Sequence, residues 1–225
     1  MTQTVLRLNV STRSGNVRVE AAPGIELEVE GGSVVREHDG ALEIRRAKGA
    51  GTIVVHCPTG SDVTVGTMSG SIDTEGLLGG VRIATASGKV HVAEAGRVDV
   101  RAKSGSVDIG TCTGECRVVV TSAKVHIGKA QRATIAGVSG VVLAEGVEGA
   151  EIKTVSGKVL VGTTGGGDIS VHTVSGKVEI LVPRDVQPAT RLRSISGRVR
   201  CECPTGGDGE IAVKSVSGAI RVSCQ

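Results

Sequence analysis

The residues best suited to chemistry fall in one column. Four positions past successive serines, or past the serine of one degenerate copy, stand Asp73, His91, Asp108 and His126. If consecutive copies stack in parallel, these side chains project outward about 5 Å apart. His91, Asp108 and His126 then offer two imidazoles around a carboxylate, a donor set suited to zinc or another divalent ion. The competing reading is a solvated face on which opposite charges alternate and so avoid repulsion.

Six cysteines offer a second chemistry: Cys57, Cys112, Cys116, Cys201, Cys203 and Cys224. Structural zinc usually takes four ligands in two close pairs, and "CTGEC" (112–116) with "CEC" (201–203) does not match that spacing. The repeat register places Cys116, Cys201, Cys203 and Cys224 at core positions, with Cys203 and Cys224 in one ladder on adjacent rungs. They read as small apolar core residues, kept as thiols in a reducing compartment.

A third column is basic. Lys89, Lys124, Lys158, Lys177 and Arg198 each follow a Ser-Gly or its degenerate copy, and Arg200 and Arg221 add to a basic C-terminal end. Such a stripe suits another protein or a phosphate-rich surface such as membrane headgroups, or it simply keeps sheet faces soluble. A broken column of Thr67, Thr85, Thr154 and Thr173 is too short for an ice-binding face. No Ser-His-Asp arrangement, P-loop or HExxH motif is present, so an enzyme is not expected. No cofactor is expected either.

The elements that position these columns follow from a repeat. Ser-Gly pairs end at Gly15, Gly70, Gly88, Gly105, Gly140, Gly157, Gly176, Gly197 and Gly218, with Ser122-Ala123 filling the gap after Gly105. Three residues past each serine, from Ile72 to Ile220, stands Val or Ile, and four before it stands another aliphatic residue, from Val65 to Val213. Each copy thus holds two short segments of period two, separated by glycine-rich turns. One copy cannot bury its own apolar face, and its neighbours must do so. The sequence therefore predicts an all-β, single-domain parallel β-solenoid, β-helix or β-roll-like, with two short strands per 17–21-residue rung. About eleven rungs would give a rod on the order of 50 Å long at the inter-strand spacing. The domain covers residues 1–225, with irregular rungs over 1–53 and regular Ser-Gly repeats over 54–225. "HDGALEI" (38–44) stands in for one irregular rung, and the first strand starts at about Val5.

Composition agrees. The chain has 34 Gly and no Phe, Tyr or Trp. A core that never needs a large side chain is thin and uniform. Missing aromatics also remove the stacking platforms that single-stranded nucleic acid uses. With 26 basic and 23 acidic residues, nucleic acid is a disfavoured partner. The opening "MTQTVLRLNV" has no basic-then-apolar leader, and no run approaches a membrane span, so a cytoplasmic protein is expected.

The recurrent "TVSGKV" and "SISGRV" units, with Gly-Asp strand starts and a Pro turn, resemble the bacterial putative-adhesin family of β-strand repeat proteins of unknown function. The resemblance covers residues 54–225 closely and 1–53 more loosely. It implies a β-repeat fold, surface attachment and, for some members, a tie to envelope stress. It carries no catalytic residues.

The ends bear on function. Neither has an evident cap, and residues 1–43 carry net −3 against +3 for residues 184–225. This predicts end-to-end self-association, head to tail from the charges or tail to tail as a closed dimer. The alternative is that the irregular N-terminal rungs form a cap and the last rung frays. The expected function is a non-catalytic scaffold or protein-interaction module. Its alternatives are an exported surface adhesin and a metal- or ligand-binding enzyme.

Overall fold

The computed structural model describes residues 6–38, 41–45 and 51–224. The regular elements among them are all β-strands. In the first half these are β1 (Arg7–Ser14), β2 (Asn16–Ala22), β3 (Glu28–Glu30), β4 (Ser33–His38), β5 (Ala41–Arg45), β6 (Thr52–Pro58) and β7 (Asp62–Ser69). A long segment β8 (Ile72–Thr163) follows, then β9 (Ile169–Val182), β10 (Ala189–Ser194), β11 (Val199–Cys201), β12 (Glu210–Ser215) and β13 (Ile220–Cys224). Val5, Asp39 and Gly40 lie outside the described residues, so the expected strand start and part of the 38–44 rung do too. The chain divides into two compact units, residues 1–113 and 114–225.

β8 is 92 residues of unbroken extended chain that coils. Its direction resets at the glycine of each Ser-Gly pair. Gly88, Gly105, Gly140 and Gly157 all have positive φ, a conformation that L side chains resist. A Cβ on Gly105 would run into the carbonyl oxygen of Gly88, and one on Gly157 into that of Gly140. Gly105 thus sits on Gly88 and Gly157 on Gly140, and Gly140 on Ala123, the one position in this stretch where the column carries a side chain.

Two short strands run between these corners, as the apolar pattern predicts. In the first unit Val90, Val92, Val98 and Val100 point inward and are buried, with Val107 and Ile109 stacked after them. The second unit repeats this with Val125, Ile127, Ile135 and Ile152. A further buried column lies at the opposite corner: Leu78, Ala95 and Cys112 in the first unit, Ala130 and Val147 in the second. The threonine column is structural. Thr67 and Thr85 are buried and donate to the carbonyls of Ser69 and Ser87 at 3.1 and 3.2 Å, holding the corner closed.

The order of rungs departs from simple tandem stacking at both ends. In the first unit β1 pairs in parallel with β7 on one side and β5 on the other, while β2 lies between β8 and β6. The chain's first rung is thus second in space, and β5–β6 lies outside it. Two antiparallel strands then close that end, β4 on β5 and β3 on β6. Ile44, Ile53, Val55 and Cys57 of the outer rung are consequently 0% exposed. The expectation of an uncapped N-terminal end is corrected here: the irregular rungs are the cap.

In the second unit β12 pairs with β9 and β10, and β13 with β9 and β11. The last rung is inserted, and β10–β11 becomes the outermost. Hydrophobicity explains the exchange. β12 and β13 bring Ile211, Val213, Ile220 and Val222, all buried, where the register pairs them with Thr190, Leu192, Val199 and Cys201 of the outer rung. The more apolar rung gains most from cover on both sides. Val199 at 40% and Cys201 are exposed as a result, which corrects the core position expected for Cys201. Cys203 and Cys224 do meet on adjacent rungs, Cα–Cα 5.4 Å, but as a disulfide rather than as thiols.

Candidate interaction surfaces

The histidine–carboxylate column resolves into pairs. In the first unit His91 Nδ1 stands 3.2 Å from Asp108 Oδ2, both side chains about half exposed. Asp73 faces Arg18, whose Nε is 3.6 Å away and whose Nη2 donates to Glu75 at 2.9 Å. In the second unit His126 Nε2 lies 3.2 Å from Glu145 Oε1. Among the described residues no three His, Cys, Asp or Glu side chains gather in a way that could hold a metal ion. The contacts are those of a surface on which charges alternate along the stack.

Of the cysteines other than the bonded pair, Cys201 is exposed. Cys57, Cys112 and Cys116 are buried. Burial pushes the Cys57 thiol up, against a smaller opposing effect of its hydrogen bond with Ser61, so it is a poor nucleophile.

The basic stripe is broken by the exchange of rungs. Lys158 and Lys177 are in register and share one carboxylate, with Nζ–Oε distances to Glu179 of 3.5 and 2.6 Å. Lys177 foremost holds the Glu179 carboxyl below its ordinary range. The next rung in space presents Ala219, whose carbonyl accepts from Val178 N, and only beyond it comes Arg198. Lys124 is exposed in the same unit and Lys89 in the first. Arg221 donates to both carboxylate oxygens of Glu202, at 3.0 and 3.2 Å, while Arg200 stands exposed.

Two surfaces in the second unit escaped the sequence reading. The first is an apolar column on the residue immediately before each Ser-Gly: Val138 is 50% exposed, Val155 47%, Val174 47%, Val216 45% and Ile195 82%. Val174 O accepts from Val216 N and Val216 O from Ser196 N, which fixes the spatial order 174, 216, 195. The first unit has Arg13, Met68, Ala86 and Lys103 at the same position, so the column belongs to the second unit alone. The signal is visible in "TVSG", "SVSG" and "SISG", whose valine or isoleucine before the serine falls outside the aliphatic positions of the repeat.

The second surface is the outer edge of β10. β10 is hydrogen-bonded to β12 and, among the described residues, to no other strand. Ala189 N donates inward to Gly209 O and Ile195 N to Ser215 O, so by strand alternation the amides of Thr190 and Leu192 face away. Leu192, Ile195 and Val199 line the open groove beside this edge, with Arg193 and Lys214 at its rim.

Among solved structures the chain is similar to a putative adhesin of Bacteroides fragilis NCTC 9343, at 13% identity over 99% of this chain and 94% of that one, TM-score 0.56. It is likewise similar to a putative adhesin of Parabacteroides distasonis ATCC 8503, at 12% identity over 97% and 94% of the two chains, TM-score 0.53. Identity this low speaks to the fold alone. No curated protein matches the chain. A family model described as Toastrack DUF4097 matches residues 2–225, and the chain belongs to that family.

Proposed function

We propose that the chain is a non-catalytic β-solenoid scaffold that joins protein surfaces, its own first of all, through the outer rung of the second unit. The supporting observation is the unpaired edge of β10 beside uncovered Leu192, Ile195 and Val199. An unpaired edge is a template for another strand, and apolar residues beside it add burial on contact. Tail-to-tail pairing is favoured over head-to-tail. The first unit carries an antiparallel edge strand with a register break between Val34 and Arg36, and such breaks blunt an edge. A two-fold contact also closes on itself.

Salt separates the arrangements. Tail-to-tail contact brings Arg193, Arg198 and Arg200 against their counterparts, so it strengthens as salt screens them. Head-to-tail contact between opposite net charges weakens. Light scattering after gel filtration should give a dimer that is favoured at high salt and abolished by Thr190→Pro, which removes an outward-facing amide. A monomer at every salt and concentration would refute self-association.

The disulfide favours a second reading, an exported adhesin-like protein. Such bonds persist in oxidising compartments and are rare in reducing cytoplasm. Cell fractionation with thiol trapping decides between them. Free Cys203 and Cys224 in the cytoplasmic fraction support the scaffold inside the cell, and a bonded pair in the envelope fraction supports export.

A further inference from the structure

We propose that the apolar column of the second unit is a docking ridge for an anionic lipid surface. This goes beyond the end-to-end association above: the ridge runs across five rungs and overlaps that surface only around the outer one, at Arg193, Ile195, Arg198 and Lys214. Val138, Val155, Val174, Val216 and Ile195 occupy five rungs, so the ridge is about 19 Å long at the strand spacing. Exposed aliphatic residues are unremarkable singly, but a contiguous row of five is not.

The flanks name the occupant. Two residues before the ridge, on the same outward side of the strand, stand Lys153, His172, Lys214 and Arg193, paired rung to rung in that order. Three residues after it, across the Ser-Gly corner, stand Lys158, Lys177 and Arg198. Six permanent cations thus border the ridge. Two carboxylates answer them, Glu151 on Lys153 at 2.6 Å and Glu179 between Lys158 and Lys177. Among the described residues Arg193, Arg198 and Lys214 make no ion pair. The surroundings are cationic on both sides of an apolar line, the complement of phosphates over acyl chains.

Three observations favour a bilayer over a protein. The ridge is a corner, where the chain bends between two strands, so a straight partner cannot meet the apolar line and both basic columns together. A soft surface can. Its side chains are β-branched and small, without the Trp, Tyr or large anchors that concentrate protein-binding energy. Its repeat also gives no register, since a shift by one rung offers almost the same contacts, which a fluid surface tolerates and a specific protein does not. A second copy of the ridge is disfavoured by its own like charges.

Flotation of the full chain with vesicles tests this, using phosphatidylcholine alone and an equimolar mixture with phosphatidylglycerol. The chain should float with the mixed vesicles and stay behind with the neutral ones. The combined variant Val155→Ser, Val174→Ser, Val216→Ser should lose affinity for mixed vesicles by about tenfold or more, in line with three half-exposed aliphatic side chains. Leu77→Ser, an equally exposed site off the ridge, should bind as the parent does. Circular dichroism and melting establish that each variant is folded. No flotation with mixed vesicles overturns the proposal and leaves the ridge to a protein partner. So does equal flotation with neutral vesicles, unchanged binding by the triple variant, or an equal loss in Leu77→Ser.

Discussion

The first rung of the first unit and the last rung of the second solve one problem in opposite ways. Each is tucked inward, between its sequence neighbour and the body of the sheet, and leaves the next rung outside. At the N-terminal end the outside rung is covered: Ile44 and Ile53 are 0% exposed beneath strands that run antiparallel to the rest. At the C-terminal end Val199 is 40% exposed and nothing described lies over it. The difference teaches that cover, more than composition, decides what an outer rung buries. A covered outer rung keeps Ile44, Ile53, Val55 and Cys57 inward. An uncovered one carries Leu192, Val199 and Cys201 where the covered one has Ile44, Ile53 and Val55, leaves all three at least partly exposed, and is tied by the Cys203–Cys224 disulfide.

The largest expected effect breaks what the ends share. Gly70→Val places a branched side chain at positive φ and against the carbonyl of Gly15, in the ladder that holds the tucked first rung. It should cost about 3 kcal/mol or more, read by denaturant unfolding. Gly60→Ala, where φ is also positive but no atom lies within 4 Å, should cost clearly less. Equal losses would mean that backbone conformation alone, not the stacked column, sets the penalty.

Cys203→Ser sharpens the contrast. It removes the tie across 21 residues and should destabilise the second unit by roughly 2–3 kcal/mol. Reductant should reproduce the loss in the parent and add nothing in the variant. If melting is unchanged by either, packing alone holds the C-terminal end and the two ends are more alike than their burial indicates.

The smallest effect is electrostatic. Lys177 and Lys153 hold the carboxyls of Glu179 and Glu151 below their ordinary value of 4.5. A depressed folded value stabilises above the unfolded one, and the contribution is lost as pH falls through the folded value. Acidification from neutrality to well below 4.5 should therefore destabilise the parent slightly more than Glu179→Gln, by less than about 1 kcal/mol. Thermal melts at both pH values measure the difference, and a larger loss in the variant would reverse the sign.

The regular rungs were legible because glycine marks every corner but the one at Ala123, and Val or Ile follows three residues past each serine. The exchange of rungs was not. "VKSVSGAIRV" (213–222) fits beside "VHTVSGKVEI" (171–180) as well as it fits beside "LRSISGRVRC" (192–201), and pattern alone cannot rank them. The widened spacing of 21 residues and the prolines at 183, 188 and 204 were the clue, since crossing over a rung needs a longer connection. Of the chemical columns, residue type is legible in the sequence and pairing is not. Whether Lys158 and Lys177 stand free or share Glu179 depends on side-chain reach, which a repeat does not encode. The exposed valines hide for the opposite reason, being outward residues of the same type as the valines that turn inward beside them.

A tucked end has a mechanical meaning. A strand at the margin of a sheet peels away one hydrogen bond at a time under tension. β12 and β13 cannot, because tension at Cys224 loads the ladder to β9 and the ladder to β10–β11 together. The rung must slide out lengthwise between two neighbours, breaking both sets of bonds in shear. A sailor secures a rope end by passing it under the turn before it, and the chain has done the same with its last rung.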